Sequence, residues 1–185
     1  MSYRIEEKLS IDSSSILEFK KYLSSKSVKE IYQLSKIESL YFENNKREMY
    51  NDSLEGLTPR KKIRVRNYPG TQDTNKYLEI KISSVEGRFK TRKIIDKSKF
   101  NYLKLNGIFD TQYGLCKPCL SIVYDRLYFK IDDVRISIDN NISYKLYPDN
   151  IYHRDESSIV EIKTSIRKNL DKLIEDFSFQ KKKIL

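Results

Sequence analysis

The chain has 185 residues and a formal net charge of +10, from 36 Lys and Arg against 26 Asp and Glu. This length fits one domain with a real core, so we predict a single domain over residues 1–185. The positive charge favours a polyanionic partner, whether nucleic acid, an acidic membrane or polyphosphate. No apolar run approaches the roughly 18 residues of a membrane span, and the N-terminus lacks a signal peptide, so a cytoplasmic protein is expected.

Short β-favouring runs alternate with turn residues along the chain, which predicts eight strands. Pro69–Asn75, Glu86-Gly87 and Asp132-Asp133 each separate two runs, so the flanking strands should return as antiparallel hairpins. Asn44–Pro59 is polar and is predicted to be a loop. The predicted strands are Tyr3–Leu9, Ser39–Glu43, Lys62–Tyr68, Tyr77–Ser83, Arg88–Ile95, Leu120–Lys130, Val134–Asp139 and Ser158–Thr164.

Three helices are predicted beside these strands. Ser14 and Ser15 are predicted to cap the first, with Glu18 three residues after Ser15 as in a capping box. The second is capped by Ser98 and ends at Gly107. The third lies near the C-terminus. Their apolar positions are Ile16, Phe19 and Leu23 in the first, Phe100 and Leu103 in the second, and Leu170, Leu173, Ile174 and Phe177 in the third.

Seven of the predicted strands place ionisable side chains on one face, because side chains two apart on a strand share a face. The opposite positions are mostly apolar. The charged face carries nine cations and four acids. The cations are Lys8, Arg64, Arg66, Lys81, Lys90, Arg92, Arg126, Arg135 and Lys163, and the acids are Glu6, Glu79, Asp139 and Glu161.

Two arrangements can produce this pattern. In the first, an open antiparallel sheet packs its apolar face on helices and leaves its charged face wet. In the second, the strands close into a barrel with the charged face inward. Like charges that line such a lumen repel one another, so the lumen must hold water and a compensating anion. The agreement between strands favours the barrel: a mainly β (α+β) fold, eight antiparallel strands forming a tunnel, with flanking helices.

The side chains of this face suit phosphate chemistry. Arginine donates two parallel hydrogen bonds to a phosphate group. Carboxylates fit the same site if a divalent cation joins them to phosphate oxygens, since Mg²⁺ and Mn²⁺ prefer oxygen ligands. The pattern therefore indicates phosphoryl transfer or hydrolysis on a linear polyphosphate or nucleoside triphosphate, where catalysis is mainly positioning and charge neutralisation.

The two cysteines, Cys116 and Cys119, have the spacing of a redox pair or of half a zinc site. His153 is the only histidine, so a four-ligand zinc site has too few ligands. A redox pair would place its first cysteine at a helix N-terminus, but Pro118 and the strand-like Leu120–Val123 follow here. We predict two free thiols in a loop, and no role for His153.

A series of segments resembles the VTC domain, the polyphosphate polymerase branch of the triphosphate tunnel metalloenzymes in the CYTH-like superfamily. The resemblance covers nearly the whole chain and depends on the order of the segments, each of which is weak alone. They are Tyr3–Lys8, Ser39–Glu43, Arg64-Val65-Arg66, Leu78–Lys81, Lys90-Thr91-Arg92, Tyr124-Asp125-Arg126, Val134–Asp139 and Val160–Lys163.

This resemblance implies an eight-stranded antiparallel tunnel that moves the γ-phosphate of ATP onto a growing inorganic polyphosphate chain, with Mn²⁺ or Mg²⁺. It implies ATP and polyphosphate, not nucleic acid, as partners, and leaves open a membrane-protein partner at the inner face of a membrane. The implied metal ligand is Glu161, assisted by Glu6. The implied phosphate binders are Lys8, Arg64, Arg66, Lys81, Arg92 and Arg135, followed by Lys90, Arg126 and Lys163.

The chain departs from the family at both ends. The hydrolase and cyclase branches begin with Glu-x-Glu-x-Lys, whereas Arg4 stands at the first glutamate position here, which fits the polymerase branch better. The family usually ends with Ser-Lys-Tyr, whereas this chain has Lys181–Lys183 there. Either these lysines substitute for that motif or the motif is missing. A hydrolase of the same fold and a non-catalytic polyphosphate-binding module therefore remain alternatives.

Four single residues have ordinary structural interpretations beside the functional ones. Tyr124 and Tyr128 could stack on adenine, although packing is the commoner role of tyrosine in a strand. We predict that Asp139 orients Arg135. Glu79 is either a metal ligand or a partner for neighbouring cations.

Overall fold

The computed structural model describes residues 5–12, 14–26 and 28–165, with Asp171, Glu175 and the backbone of Gln180 and Lys181. Strands dominate, helices are few, and the strand pairs with a described register run antiparallel, which confirms the mainly β antiparallel prediction. The elements are β1 (Ile5–Ile11), α1 (Ser15–Ser25), β2 (Lys29–Glu43), α2 (Glu48–Glu55), β3 (Arg60–Asn67), β4 (Lys76–Ser84), β5 (Gly87–Ile95), α3 (Lys97–Asn106), β6 (Ile108–Asp110), β7 (Gly114–Ile131), β8 (Val134–Leu146), β9 (Tyr152–Arg154), β10 (Ser158–Thr164) and β11 (Gln180–Lys181).

The described residues form two compact units. The first unit draws on residues 1–36, 124–142 and 154–184, and the second on residues 37–123 and 143–153. Neighbouring strands in the first unit follow the order β11-β1-β10-β8-β7, and those in the second follow β2-β3-β4-β5. Among the described strands, β11 and β5 each have one neighbour, so closure into a barrel is not confirmed. The single domain stays a prediction.

The core of the first unit lies between α1 and the sheet. Ile16, Phe19 and Leu23 are buried, as the apolar stripe predicted, and they pack against aliphatic residues of β1, β8 and β10 such as Ile138 and Ile162. At roughly 25 cal/mol per Å² of buried apolar area, such side chains supply the main driving force for this packing.

The predicted capping box at the start of α1 is wrong. The carboxylate of Asp12 instead accepts hydrogen bonds from the backbone amides of Ser14 and Ser15, at 2.9 and 2.8 Å. Asp12 therefore satisfies the free amides at the helix N-terminus from outside the helix. The apolar residues of the predicted C-terminal helix lie outside the described residues.

The core of the second unit joins the sheet to α2 and α3. Ile63 and Val65 of β3 are 1% exposed and pack with Met49 of α2 and Leu103 of α3. The sequence predicted a loop where α2 lies, because Asn44–Pro59 is mostly polar. In the structure Met49 of this helix is apolar and buried. Glu43 at the end of β2 starts this helix, since its carboxylate accepts the amide hydrogens of Met49 and Tyr50 at 3.2 and 2.9 Å.

Two further local predictions need correction. Asp96, not Ser98, caps α3, with its Oδ1 accepting from the backbone amide of Lys99 at 2.6 Å. Cys116 and Cys119 lie within strand β7, not in a loop, although both are free thiols as predicted. Burial raises the pKa of these thiols to about 11 and about 12, so neither is a reactive thiolate at neutral pH.

Several strands are longer than the sequence indicated. β2 begins at Lys29, whereas the predicted strand began at Ser39. The earlier part was missed because residues 29–36 are largely exposed and carry no apolar alternation. The short strands β6, β9 and β11 were not predicted. Among the described residues, no helix is long and apolar enough to cross a membrane.

Candidate functional site

Four strands of the second unit align a row of polar side chains. The register places Tyr41 of β2 opposite Arg64 of β3, Arg64 opposite Glu79 of β4, and Glu79 opposite Arg92 of β5. Side chains directly opposite one another in an antiparallel sheet stand on the same face, close enough to interact. One carboxylate is therefore flanked by two guanidinium groups across the strands.

Glu79 is 1% exposed and holds three cations. Its Oε2 accepts hydrogen bonds from Nε and Nη2 of Arg64 at 2.8 and 2.7 Å. Its Oε1 lies 2.5 Å from Nζ of Lys90 and 3.7 Å from Nε of Arg92. Burial acts to raise the pKa of Glu79, but Lys90, Arg64 and Arg66 outweigh it and lower this pKa to about 2. Of the two roles left open, the geometry supports a partner for cations.

The two buried arginines of this unit are each held by a hydroxyl group. Arg64 Nη1 donates to the hydroxyl oxygen of Tyr41 at 2.9 Å, and Arg66 Nε donates to Oγ of Ser39 at 3.0 Å. Arg64 and Arg66 are 8% and 9% exposed. Sequence reasoning missed Tyr41 and Ser39, although their alternation in β2 would have placed both on one face.

Arg92 is held by aromatic rings and remains 41% exposed. Its guanidinium carbon lies 3.6 Å from the ring centroid of Tyr77 and 5.8 Å from that of Tyr68. The hydroxyl of Tyr77 donates to Asp73 Oδ2 at 2.6 Å, which ties the ring to the turn between β3 and β4. The stacked ring leaves the edge of the Arg92 guanidinium able to meet an anion.

A second row lies two residues away from the first on β3, β4 and β5, on the same face, and contains only lysines. Lys81 pairs with Lys62 of β3 and Lys90 of β5 in the register, and Lys81 is exposed. Adjacent like charges repel, so an anion would stabilise this row. We call the following residues the Glu79 cluster: Tyr41, Arg64, Arg66, Glu79, Lys90 and Arg92.

The first unit carries a different arrangement on β1, β10 and β8. One row runs from Lys8 through Glu161 to Ser137, and the next from Glu6 through Lys163 to Arg135. We call these the Glu161 cluster: Glu6, Lys8, Arg135, Ser137, Glu161 and Lys163. On β1 and β10 an acid and a cation alternate along each strand and face each other across the pair, whereas Lys163 lies opposite a second cation, Arg135, on β8.

Two carboxyl groups meet in the Glu161 cluster. The hydrogen bond with Glu161, together with burial and the charge of Glu161, raises the pKa of Glu6. Burial acts to raise the pKa of Glu161, but the bond from Glu6 and the charges of Lys8 and Lys163 lower it to about 2. Lys163 Nζ lies 3.5 Å from Glu161 Oε1 and 3.9 Å from Glu6 Oε2.

This pair has the donor chemistry of a partial site for a hard cation. Two carboxyl groups in contact favour either a shared proton or a bound cation between them. Mg²⁺ and Mn²⁺ take oxygen ligands and commonly bind through one or two carboxylates, with substrate phosphates completing the shell. The described residues contain no group of three or more His, Cys, Asp or Glu able to hold a metal. Glu6 and Glu161 thus fit a metal that also binds a phosphate ligand.

Arg126 is held by Asp139, which corrects the prediction that Asp139 orients Arg135. Nε and Nη2 of Arg126 donate to Oδ1 and Oδ2 of Asp139 at 2.5 and 2.6 Å. Burial acts to lower the pKa of Arg126, but Asp139 outweighs it and raises this pKa. The rings of Tyr124 and Tyr128 lie 5.1 and 5.9 Å from the guanidinium. Both tyrosines therefore pack against Arg126.

The remaining predicted residues are placed as follows. Arg135 is exposed beside Lys163. His153 is an exposed residue of β9 that stacks on Tyr144 at 6.2 Å. The side chains of Lys181–Lys183 lie outside the described residues, as does Arg4.

A model of the VTC domain matches residues 3–182. No curated protein sequence matches the chain.

Several solved structures share the fold. A candidate adenylate cyclase from Bacillus halodurans has a TM-score of 0.64 at 13% identity, covering 98% of this chain and 94% of that one. A conserved hypothetical protein from Pyrococcus furiosus has a TM-score of 0.55 at 18% identity, covering 94% and 88%. A Pyrococcus horikoshii protein has a TM-score of 0.56 at 15% identity, covering 94% and 87%. The chain belongs to the VTC domain family.

Proposed function

We propose that this chain is a metal-dependent phosphotransferase, a polyphosphate polymerase that moves the γ-phosphate of ATP onto inorganic polyphosphate. A terminal oxygen of the polyphosphate attacks the γ-phosphorus, the bond from that phosphorus to the bridging oxygen breaks, and ADP leaves. The observation that carries the proposal is the Glu161 cluster, where two carboxyl groups in contact are framed by Lys8 and Lys163. Family membership supports phosphate handling by the fold.

The residues divide the work of phosphoryl transfer, which depends on positioning and charge neutralisation. A divalent cation, Mn²⁺ or Mg²⁺, held by Glu161 with help from Glu6 would neutralise charge on the phosphate oxygens. Lys8, Lys163 and Arg135 would bind phosphate oxygens around that position.

The Glu79 cluster supports anion binding on its own. It has four cations and a single carboxylate: Arg64 and Arg66 come from β3, Lys90 and Arg92 from β5, and Glu79 from β4 between them. We propose Arg64, Arg66, Lys81, Lys90 and Arg92 as phosphate binders there. Arg126 is the weakest of the proposed binders, because both nitrogens that face Asp139 are already engaged.

The test is an incubation of the full chain with ATP and Mn²⁺, or with ATP and Mg²⁺. We expect long polyphosphate chains on a stained gel and equimolar ADP. Orthophosphate and ADP without chains would support a hydrolase of the same fold instead. Absence of turnover with tight binding of tripolyphosphate would leave a non-catalytic binding module.

Matched variants test whether the activity depends on the Glu161 cluster. Glu161→Gln should lower kcat by about 10²–10³ but retain tripolyphosphate binding. The control is Glu7→Gln, because Glu7 lies on the same strand as Glu6 but points to the opposite face. Unchanged turnover in Glu161→Gln would show that the metal assignment is wrong.

A further inference from the structure

An exposed apolar patch lies in the second unit, outside the Glu79 cluster. Leu105, Phe109 and Leu115 are 80%, 76% and 50% exposed. Tyr102, one helical turn before Leu105, is 56% exposed. We call these four residues the Phe109 patch. Single exposed apolar residues are ordinary, whereas a group of large ones marks an interaction surface.

Local geometry brings these side chains together. Phe109 of β6 pairs with Leu115 of β7, and both point outward, while Ile108 and Cys116 pair on the inner side. Gly107 connects α3 to β6 with a φ of 86°, and a Cβ there would come within 2.5 Å of the Cys116 carbonyl oxygen. Glycine therefore lets the end of α3 lie directly against β7.

The same contact locates Leu115 beside the helix end. Its Cδ1 lies 3.1 Å from the position that a Cβ on Gly107 would occupy. Leu105 stands two residues before Gly107, at the end of α3 that lies against β7, and Phe109 pairs with Leu115 across β6 and β7.

Lysines outnumber carboxylates around the patch. Residues 96–117 contain four lysines and two carboxylates: Asp96, whose Oδ1 accepts from the backbone amide of Lys99, and Asp110, whose oxygen lies 2.9 Å from Lys61 Nζ. Lys117 shares the outward face of β7 with Leu115, since the two are two residues apart. The four lysines, all exposed, are Lys97, Lys99, Lys104 and Lys117.

Aromatic rings extend this surface beyond α3. Lys104 Nζ lies 5.9 Å from the ring centroid of Tyr147, and Lys145 Nζ lies 5.5 Å from Tyr147 and 5.2 Å from Tyr152. Tyr152 is 72% exposed. Tyrosine and lysine both place an apolar body beside a polar tip, which suits a boundary between water and hydrocarbon.

We propose that the Phe109 patch docks this protein on the surface of a bilayer that contains anionic lipids. Leu105, Phe109 and Leu115 enter the boundary of the acyl chains, while the four lysines contact the anionic headgroups. Polyphosphate would use the lysines but gain nothing from the exposed apolar residues, and nucleic acid, which could stack on Phe109, would gain nothing from the two leucines. The inference is independent of the proposed catalytic function, since no residue of either cluster takes part.

The experiment is sedimentation of the full chain with phosphatidylcholine vesicles, with and without phosphatidylserine. We expect binding to the anionic vesicles only, weakened by salt. The double variant L105S/F109S should bind at least about tenfold more weakly, because two apolar side chains no longer enter the bilayer. The matched control is Val85→Ser, since Val85 is 90% exposed in the β4–β5 turn of the same unit but lies outside this patch.

Folding and function are checked on the same samples. The double variant should keep the wild-type melting temperature and tripolyphosphate affinity, because its side chains are exposed and distant in sequence from the phosphate residues. Equal vesicle binding by the double variant and wild type would overturn the proposal. So would equal binding to neutral and anionic vesicles, or no binding of wild type at all. Loss of vesicle binding in Val85→Ser would equally overturn it.

Discussion

The two charged clusters are built on nearly the same strand sequence but differ in chemistry. Leu78-Glu79-Ile80-Lys81 on β4 and Val160-Glu161-Ile162-Lys163 on β10 each place a glutamate and a lysine on one face. Glu79 faces two arginines across the strands, whereas Glu161 faces Lys8 and Ser137 and contacts a second carboxyl group. The register of the neighbouring strands, and not the repeated motif, thus decides the role of each glutamate.

This contrast predicts different consequences for the same substitution. A carboxylate that holds three buried or half-buried cations is a structural element, and its loss leaves those cations unpaired. A carboxylate that shares a hydrogen bond with a second acid is available for a cation, and its loss should affect chemistry first.

The largest effect is expected for Glu79→Gln. Removing one partner of a buried ion pair costs about 3–5 kcal/mol, so the free energy of unfolding should fall by about that amount. Denaturant unfolding measures it, with Glu86→Gln, in the exposed β4–β5 turn, as the control. Tripolyphosphate should raise the melting temperature of Glu79→Gln more than that of wild type. An equal rise in both would mean that the unpaired cations do not bind phosphate.

For Glu161→Gln we expect the next largest effect, on turnover. Loss of one charge-stabilising group in a site of this kind lowers kcat by about 10²–10³. The free energy of unfolding should change far less than in Glu79→Gln. Steady-state kinetics and denaturant unfolding of both variants give the comparison. Similar stability losses at the two sites would remove the distinction between the clusters.

Glu79 should contribute part of the acid sensitivity of folding, beside Glu161, whose pKa is lowered to a similar value. The pKa of Glu79 lies at about 2 in the folded state against an ordinary value of 4.5. A lowered folded pKa contributes stability that is fully present above pH 4.5 and is lost as the pH falls toward 2. The shift corresponds to about 3 kcal/mol. The stability difference between wild type and Glu79→Gln should therefore shrink from pH 5 to pH 2. A constant difference over that range would contradict the assignment.

The smallest effect is expected at the ring that holds Arg92. Tyr77→Leu removes a cation–π contact worth about 0.5–1 kcal/mol at an exposed site, so tripolyphosphate affinity should fall about two- to fivefold. Tyr77→Phe keeps the ring and should restore most of the affinity. Titration calorimetry of both variants measures this. If Tyr77→Phe is as weak as Tyr77→Leu, the bond to Asp73, and not the ring, positions Arg92.

Alternation in strands made most of the charged face predictable from the sequence. Arg64 alternates with the buried Ile63 and Val65 on β3, and the register places Glu79 and Arg92 on the same face as Arg64. Pairing between strands was not predictable in the same way. The choice of Arg126 as the partner of Asp139 depends on how β7 and β8 lie beside each other, which no local pattern specifies.

Segments whose partners are distant in sequence were the least predictable. The strand residues 29–36 are exposed and give no periodic signal. The sequence predicted a loop at Cys116 because Pro118 follows it. In the structure the Cys116 side chain is fully buried in the core of the second unit. In both cases tertiary packing overrides the local composition.

The carboxylate of Glu43 has a consequence for the order in which the second unit assembles. It accepts three backbone amide hydrogens, those of Asn44, Met49 and Tyr50, although α2 is only eight residues long. A helix this short is marginal in water on its own. Because its N-terminal amides depend on the last residue of β2, α2 should form only after that strand has reached its place. The helix is thus a late structure, nucleated by the end of a strand.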